Sequence, residues 1–289
     1  MTERLGDISA RIEGIRQLGA VVNAMRGIAA ARARQARDQL AAVDSYAASI
    51  AAAIGEALVL SPAVAPVATR RPALVVFCAE QGFAGAFSER VLDAVGADLA
   101  TSTVMLLGTR GASVAAERGI APGWQAAMPA HSPGLPKLAD RIAAAIYDRI
   151  ARGEIDGVEM VFSLWEPSHG THAERQRLLP FDATRMPPPR DGNAPLIYLP
   201  PQALLGDLTA DFLHAQLCRA ALHAFAAENE ARMAAMAAAR GQIERRLSTL
   251  QGQQRRVRQE EITAEIIELA AGETAGRSRN DASGPTASL

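Results

Sequence analysis

Apolar residues in the N-terminal arm, residues 1–61, recur with the seven-residue spacing that is typical of a coiled coil. Gly19 and Arg26 are the departures from this apolar seam. The face also widens between Leu18 and Ile28 beyond what one partner helix covers, which predicts a second contact surface. The two core positions of the repeat are Leu5, Ile12, Gly19, Arg26, Ala33, Leu40, Ala47, Ile54 and Ile8, Ile15, Val22, Ala29, Ala36, Val43, Ile50, Ala57.

The C-terminal arm, residues 202–271, carries a second apolar seam that changes phase near its end. A helix of this length would extend about 100 Å at about 1.5 Å per residue, which is more than a globular core can bury. The polar run 251–261 interrupts the seam, and the step from Val257 to Ile262 shifts its phase. We therefore expect the helix to change contact partners there. The seam consists of Leu205, Leu208, Phe212, Leu217, Leu222, Phe225, Met233, Met236, Ile243, Leu247, Leu250, Val257, Ile262, Ile266 and Leu269.

Proline separates these arms from a different middle segment, residues 62–201. Of the 16 prolines, 15 lie between Pro62 and Pro201, and proline breaks helix interiors. Apolar runs in this segment predict strands, and helical patterns between them are typical of βαβ units. The predicted strands are Ala73–Ala79, Thr103–Leu107, Gly157–Trp165 and Gln176–Leu179, and the predicted helices are Glu89–Leu99, Ala112–Glu117 and Leu135–Ile150.

The predicted fold class is α/β, with a long antiparallel coiled coil formed by the N- and C-terminal helices and a Rossmann-like α/β domain inserted between them. Residues 272–289 are polar and rich in Gly, Ser and Thr, which predicts a disordered tail. The net charge of -1 requires neither nucleic acid nor an anionic surface as partner. Without a signal peptide or a long apolar window, we expect a cytoplasmic chain that does not span a membrane.

The residues offer little catalytic chemistry. The only lysine is Lys137, so a phosphate-binding loop ending in Gly-Lys-Ser/Thr is excluded. The turn Gln81–Phe87 lacks the full dinucleotide-binding glycine pattern, and His169 and His172 lack a third metal ligand, so we expect a tight turn and an exposed loop. Cys78 and Cys218 are predicted to be buried, reduced thiols. We expect no cofactor.

Two arginine bands leave three readings open. They are Arg26, Arg32, Arg34 and Arg37 in the first arm and Arg255, Arg256 and Arg258 in the second. The bands could form a solvated coiled-coil face, bind nucleic acid, or contact acidic loops of a protein partner. We favour the protein partner, because each band adjoins an irregularity in its apolar seam.

At its two ends the sequence resembles a known family, the gamma subunit or central stalk of rotary F-type ATP synthases. Val21–Arg32 is similar to the family's N-terminal pattern Ile-Thr-Lys-Ala-Met-Lys-Met-Val-Ala. Arg232–Met236 and Arg258–Glu265 are similar to Arg-Met-x-Ala-Met and Arg-Gln-x-x-Ile-Thr-x-Glu near its C-terminus. Between them, Glu80–Phe87 resembles the family's Asp-Arg-Gly-Leu-Cys-Gly-Gly-Phe turn.

The resemblance implies a central rotor that couples ion flow through a membrane c-ring to the catalytic sites of an alpha/beta hexamer. It also implies contact with the epsilon subunit, peripheral attachment at the cytoplasmic face of the bacterial inner membrane, and no catalytic site, nucleic acid or small-molecule substrate of its own. By position, the partner-contact residues would be Met25, Arg26, Arg232, Met233, Arg258, Gln259, Thr263 and Glu265.

The chain also departs from the family pattern, since Val22 replaces a usual threonine and Leu199 replaces the glutamate of a Tyr-Glu-Pro motif. These changes are compatible with an alternate, sodium-type branch and leave the polar contact to the ring open. A non-enzymatic coiled-coil scaffold, including the stalk of a related rotary ATPase, is the second interpretation, and an α/β nucleotide-dependent enzyme is the third.

Overall fold

The computed structural model describes residues 2–60, 69–189 and 196–281. It divides into two compact units, one made of Met1–Ala24 with Ala237–Leu289 and the other of Met25–Met236. The elements are α1 (Thr2–Leu58), β1 (Pro72–Phe77), α2 (Phe87–Val95), α3 (Asp98–Thr101), β2 (Thr103–Leu107), α4 (Thr109–Glu117), β3 (Trp124–Ala126), α5 (Leu135–Ala151), β4 (Gly157–Glu166), β5 (Gly170–Leu179) and α6 (Pro201–Asp281), with short 3-10 helices at Ser132–Gly134 and Ala183–Arg185.

In the first unit, the ends of α1 and α6 pack against each other in antiparallel orientation. Gln254 donates a hydrogen bond of 2.9 Å to the Ser9 hydroxyl, and farther along α1 the Ile243 side chain lies 3.4 Å from the position of a Cβ on Gly19. Ile12 and Val257 are buried in the seam. The absence of a side chain at Gly19 thus makes room for Ile243, which accounts for one break in the heptad pattern.

The paired region ends where the sequence predicts a change of partner. Val257 is 6% exposed, whereas Ile262 and Ile266 are 51% and 60% exposed. Because Ser9 lies opposite Gln254 in an antiparallel pair, α1 begins opposite the residues that follow Val257. Helix α6 therefore continues beyond the start of α1, and the described side chains of α1 leave Ile262 and Ile266 more than half exposed.

Helix α6 also extends farther than predicted. It reaches Asp281, so the expectation of a disordered segment is corrected for residues 272–281, while residues 282–289 lie outside the described residues. The segment after Ala271 keeps good helix formers such as Glu273 and Ala275, and adding residues to an existing helix is far easier than starting one.

In the second unit, the same two helices again run antiparallel. Arg37 pairs with Glu230, and Arg219 lies 2.9 Å from Asp44. Ala33 and Ala36 are completely buried, as expected where small side chains let two helix backbones approach closely. Leu18 and Val21 in the first unit and Ile28 in the second are each more than half exposed, so the described residues leave the widened apolar face uncovered.

A five-stranded sheet of order β3-β2-β1-β4-β5 forms the middle of the second unit. All neighbours are parallel except β4 and β5, which are antiparallel. Alternate residues of β1 point to opposite faces: Val75 and Phe77 pack with α5 and α6, whereas Leu74 and Val76 pack with α2 and α4. The sheet is thus covered on both faces, as in a Rossmann-like fold, and the predicted fold class is confirmed.

The sheet contains more strand than the sequence predicts. Strand β5 begins at Gly170, six residues before the predicted start at Gln176. The sequence does not predict the first part of the strand, because exposed charged residues at a sheet edge do not form an apolar run. Strand β3 has three residues, which is too short for a periodic signal.

Helix α1 passes very close to the chain at Pro187, and this contact generates a prediction. A Cβ on Gly55 would overlap the Pro187 carbonyl oxygen, whereas nothing lies within 4 Å of a Cβ on Gly27 in the same helix. We expect Gly55→Ala to lower the free energy of unfolding by about 1–3 kcal/mol. The control Gly27→Ala should raise it by about 0.5–1 kcal/mol, because alanine favours the helix. Urea unfolding followed by circular dichroism measures both, and a neutral or stabilising Gly55→Ala would contradict the close approach.

Candidate functional site

The cysteine and histidine side chains of the second unit do not form a reactive centre. His214 lies 3.1 Å from Asp140 and 3.8 Å from the Cys218 sulfur, an order that superficially resembles a catalytic triad. Burial, however, raises the pKa of the Cys218 thiol to about 11, and burial likewise raises the pKa of Cys78 to about 12. Since the thiolate is the nucleophile, neither cysteine is activated. Both are free and buried, as predicted.

The two neighbouring histidines lie in different elements. His169 lies in the turn between β4 and β5, beside Ser168 and Glu166, but His172 lies within β5 and not in a loop as predicted. Among the described residues, no cluster of three or more histidine, cysteine or carboxylate side chains could hold a metal ion.

The loop after β1 is the feature that a Rossmann-like sheet would normally use. Ligands of such folds bind outside the carboxyl ends of the parallel strands, where the strand order reverses, and here that point lies between β1 and β4. The chain forms a tight turn in this place, with positive φ angles of 63° at Phe83 and 60° at Gly85. Phe83 is 68% exposed, so the turn presents a large apolar side chain on a backbone conformation that phenylalanine rarely adopts.

Glu80, at the end of β1, is bound through its carboxylate at the start of α4. Its carboxylate accepts hydrogen bonds from the backbone N–H of Thr109 at 3.0 Å, from the Thr109 hydroxyl at 2.7 Å and from the backbone N–H of Met128 at 2.8 Å. Thr109 is the first residue of α4, and helix N-termini attract negative charge. The start of α4 therefore binds a carboxylate of this protein instead of an external anion.

Two residues of α6, Glu228 and Arg232, form hydrogen bonds with the same turn. Glu228 accepts hydrogen bonds from the backbone N–H groups of Glu80 and Gln81, at 3.2 and 3.3 Å. Arg232 pairs with Glu228 one helical turn away and donates to the carbonyl oxygens of Gln81 and Gly82, both at 3.3 Å. The two side chains are 6% and 5% exposed. We use the name α6 clamp for the group that consists of Glu80, Glu228, Arg232 and the turn after β1.

The α6 clamp changes the interpretation of Arg232. From the sequence we expected a partner contact, but the structure places its guanidinium inside the chain, where Asn229 accepts another hydrogen bond at 3.1 Å. The sequence does contain a signal for this pairing, since Glu228 and Arg232 have the i, i+4 spacing of helical ion pairs. Nothing in the sequence indicates that the turn at Glu80 forms hydrogen bonds with both members of this ion pair.

The remaining predicted contact residues lie on helix surfaces in separate units. Met25, Arg26 and Met233 are partly exposed and belong to the second unit, whereas Arg258, Gln259, Thr263 and Glu265 are exposed and belong to the first. Thr263 donates a hydrogen bond of 2.8 Å to the Gln259 carbonyl. Within the second unit, Arg37 of the first arginine band is engaged by Glu230 and by the face of the Trp165 ring at 5.2 Å.

Paired terminal helices with an inserted α/β sheet that is covered on both faces place this protein in the class of coiled-coil proteins with an inserted domain. A family model described as ATP synthase matches residues 4–275. The chain therefore belongs to the ATP synthase family.

Curated relatives and solved structures agree with this assignment. The ATP synthase gamma chain of Anaeromyxobacter dehalogenans is 28% identical over 284 residues, covering 93% of this chain and 98% of that one. The gamma chain of Frankia casuarinae is 27% identical over 293 residues, with coverages of 95% and 98%. A chain of the Euglena gracilis mitochondrial ATP synthase shares the fold, with a TM-score of 0.65 at 13% identity and full coverage of both chains.

A further structure, from the Tetrahymena thermophila mitochondrial ATP synthase central stalk and c-ring, matches with a TM-score of 0.55 and 14% identity over 76% of this chain and 99% of that one.

Among the helices of the described residues, none has a stretch both long and apolar enough to cross a membrane.

The α6 clamp generates a prediction with a matched control. We expect Arg232→Ala to lower the free energy of unfolding by about 3–5 kcal/mol, because Glu228 would be left buried without its counter-charge. Arg240 also pairs with a glutamate four residues later on α6, but its side chain is 49% exposed, so Arg240→Ala should cost less than about 1 kcal/mol. The double variant Glu228→Ala, Arg232→Ala should lose less than the sum of the two single losses. Similar losses for Arg232→Ala and Arg240→Ala in urea unfolding would contradict a buried pair.

Proposed function

We propose that this chain is the central rotor stalk of an F-type ATP synthase and couples ion flow through the membrane c-ring to conformational change at the catalytic sites of the alpha/beta hexamer. The observation that carries the proposal is the end of α6, a helix that continues past the start of α1 with Ile262, Ile266 and Leu269 more than half exposed. An exposed apolar surface of this kind is typical of a protein–protein interface. In the proposed assembly, the subunits that line the bore of the hexamer cover it.

The partners follow from the same proposal. The alpha and beta subunits surround the paired helices, and the epsilon subunit and the c-ring contact the α/β unit. The chain is a peripheral subunit of a membrane-bound complex, on the cytoplasmic side of the bacterial inner membrane. It contributes no catalytic group of its own to the complex.

The exposed polar residues near the end of α6 are suited to contacts that form and break during rotation. Arg258, Gln259, Thr263 and Glu265 are all solvent-accessible. We assign Arg258, Gln259 and Thr263, with Met25 and Arg26, to contacts with acidic loops of the beta subunits. Met233 and Glu265 are assigned to other contacts with partner subunits. Ion pairs that remain partly solvated are moderate in strength, so no single rotational position becomes a trap. Arg232 supports this set indirectly, because it anchors α6 to the α/β unit.

Co-purification tests the assignment of the chain to the rotor. We expect the tagged, full-length chain, expressed with the ATPase subunits of its own complex, to bring down an alpha/beta hexamer that hydrolyses ATP. A chain that remains soluble and folded but recovers neither alpha nor beta subunits would contradict the stalk and leave the coiled-coil scaffold as the better interpretation.

Substitution of Arg258 tests the proposed beta-subunit contact within the assembled complex. We expect Arg258→Ala to reduce ATP-driven ion transport several-fold, because the variant removes a charge that contacts the acidic loops. The subunit composition should stay the same, because the variant removes no contact within the apolar seam. Arg246→Ala, which removes another exposed arginine of α6, is the control and should leave transport close to wild type. Unchanged transport in Arg258→Ala complexes would argue against the contact.

A further inference from the structure

Helices α1 and α6 are attached to the sheet of the second unit in different ways. The α6 clamp holds α6, because Glu228 and Arg232 form hydrogen bonds with the turn after β1. Every side chain that defines the clamp comes from α6 or from the end of β1. A shaft of two helices follows the rotation of its α/β domain as one body only if α1 is held as well. The contacts that α1 makes in this unit therefore bear on the function.

Small side chains form the packing of α1 against α6 in the part of α1 that precedes Arg37. Ala29, Ala33 and Ala36 are at most 1% exposed. Burial of apolar surface is favourable but has no preferred direction, and methyl groups project too little to interlock with a neighbouring helix. These alanines therefore stabilise the helix pair but give little resistance to sliding or turning of α1 against α6.

Arg37 adds contacts of defined direction to this packing. Its guanidinium pairs with the Glu230 carboxylate of α6 and lies over the Trp165 ring of β4, 5.2 Å from the ring centroid. A guanidinium is suited to both contacts at once, because it donates hydrogen bonds in its plane and stacks on aromatic rings through its face. One side chain of α1 thus joins three elements of the second unit.

Burial distinguishes this ion pair from a second ion pair between the same two helices. The Glu230 side chain is 11% exposed and the Arg37 side chain 38%, whereas Asp44 and Arg219 are 51% and 40% exposed. An exposed ion pair contributes little, because water and salt screen it, while a mostly buried carboxylate interacts more strongly with its counter-charge. The Arg37 pair is therefore the stronger link, and the Asp44 pair offers a matched control.

The Arg37 contact is made at the same turn of α6 as the clamp. Glu230 lies midway between Glu228 and Arg232, and side chains two positions apart on a helix do not face the same way. Glu228 and Arg232 face the turn after β1, and Glu230 faces α1. This turn of α6 lies shortly before the second unit ends at Met236. The sheet, α6 and α1 are therefore joined near the end of this unit.

We propose that Arg37 is a positioning residue of the rotor, which holds α1 to α6 and to β4 so that both helices turn with the α/β unit. This inference rests on the assignment of the chain to the central stalk. Without the Arg37 contacts the clamp still holds α6, but α1 lags behind as the sheet turns. Part of the rotation is then lost between the α/β unit and the helix pair, and ATP is hydrolysed without a matching transport of ions.

The ratio of ATP-driven ion transport to ATP hydrolysis in the assembled complex tests this role. We expect Arg37→Gln, which removes the charge, to lower the ratio about two-fold or more at unchanged subunit composition. Arg37→Lys should fall between Arg37→Gln and the wild type, because lysine keeps the charge but lacks the planar fork. Asp44→Asn should retain the wild-type ratio.

The proposal is overturned if Arg37→Gln complexes transport as many ions per ATP as the wild type. Ion transport by the wild-type complex supports the rotor assignment whatever the variant does, so the role of Arg37 and the rotor assignment fail separately.

Hydrogen–deuterium exchange of the isolated full-length chain gives a readout that needs no partner subunit. We expect the amides of residues 30–40 in α1 to exchange about ten-fold faster in Arg37→Gln than in the wild type, because hydrogen bonds to charged groups are the stronger ones. Exchange at residues 225–235 of α6 should stay close to wild type, since the clamp remains, and Asp44→Asn should alter neither segment. Unchanged exchange in α1 of Arg37→Gln would refute the attachment, and so would equal acceleration in both helices, which indicates a general loss of stability.

Discussion

The buried ion pair of Glu228 and Arg232 joins the turn after β1 to α6, a helix that also packs on the sheet through its apolar residues. Two charges withdrawn from water cost several kcal/mol each, and only close pairing with further hydrogen bonds offsets that cost. The turn after β1 supplies these bonds, with two N–H groups for the carboxylate and two carbonyl oxygens for the guanidinium. Helix and turn are therefore mutually required, since neither charge is satisfied without the other element.

Glu80 connects this ion pair to the elements on the other side of the turn. Its backbone N–H is bound by Glu228, while its carboxylate is bound at the start of α4 and at Met128. Backbone N–H groups after β1, at the start of α4 and at Met128 are thus bound by carboxylates of the chain itself. These hydrogen bonds join the turn after β1 to α4 on one side and to α6 on the other.

The sequence predicts those parts of the fold that depend on periodicity and on proline. The heptad seams and the proline-free arms locate α1 and α6, and the apolar runs locate β1, β2 and β4. Prediction fails where exposure or length removes the periodic signal, as in the charged edge strand β5, the short strand β3 and the helical residues after Ala271. It also fails for Arg232, because its role depends on the turn at Glu80, which is distant in sequence and meets it only through the tertiary fold. The exposed residues from Arg258 to Glu265 were predicted by resemblance, and their contacts remain a proposal.

The state of the two cysteines has a practical consequence for following motion in this protein. Cys78 and Cys218 are buried, and burial raises the pKa of each well above neutrality, so both react slowly with maleimides. A cysteine introduced at an exposed position of α6 would react much faster. Dyes or gold particles can therefore be attached at one chosen place on the otherwise native chain, without first replacing its own thiols.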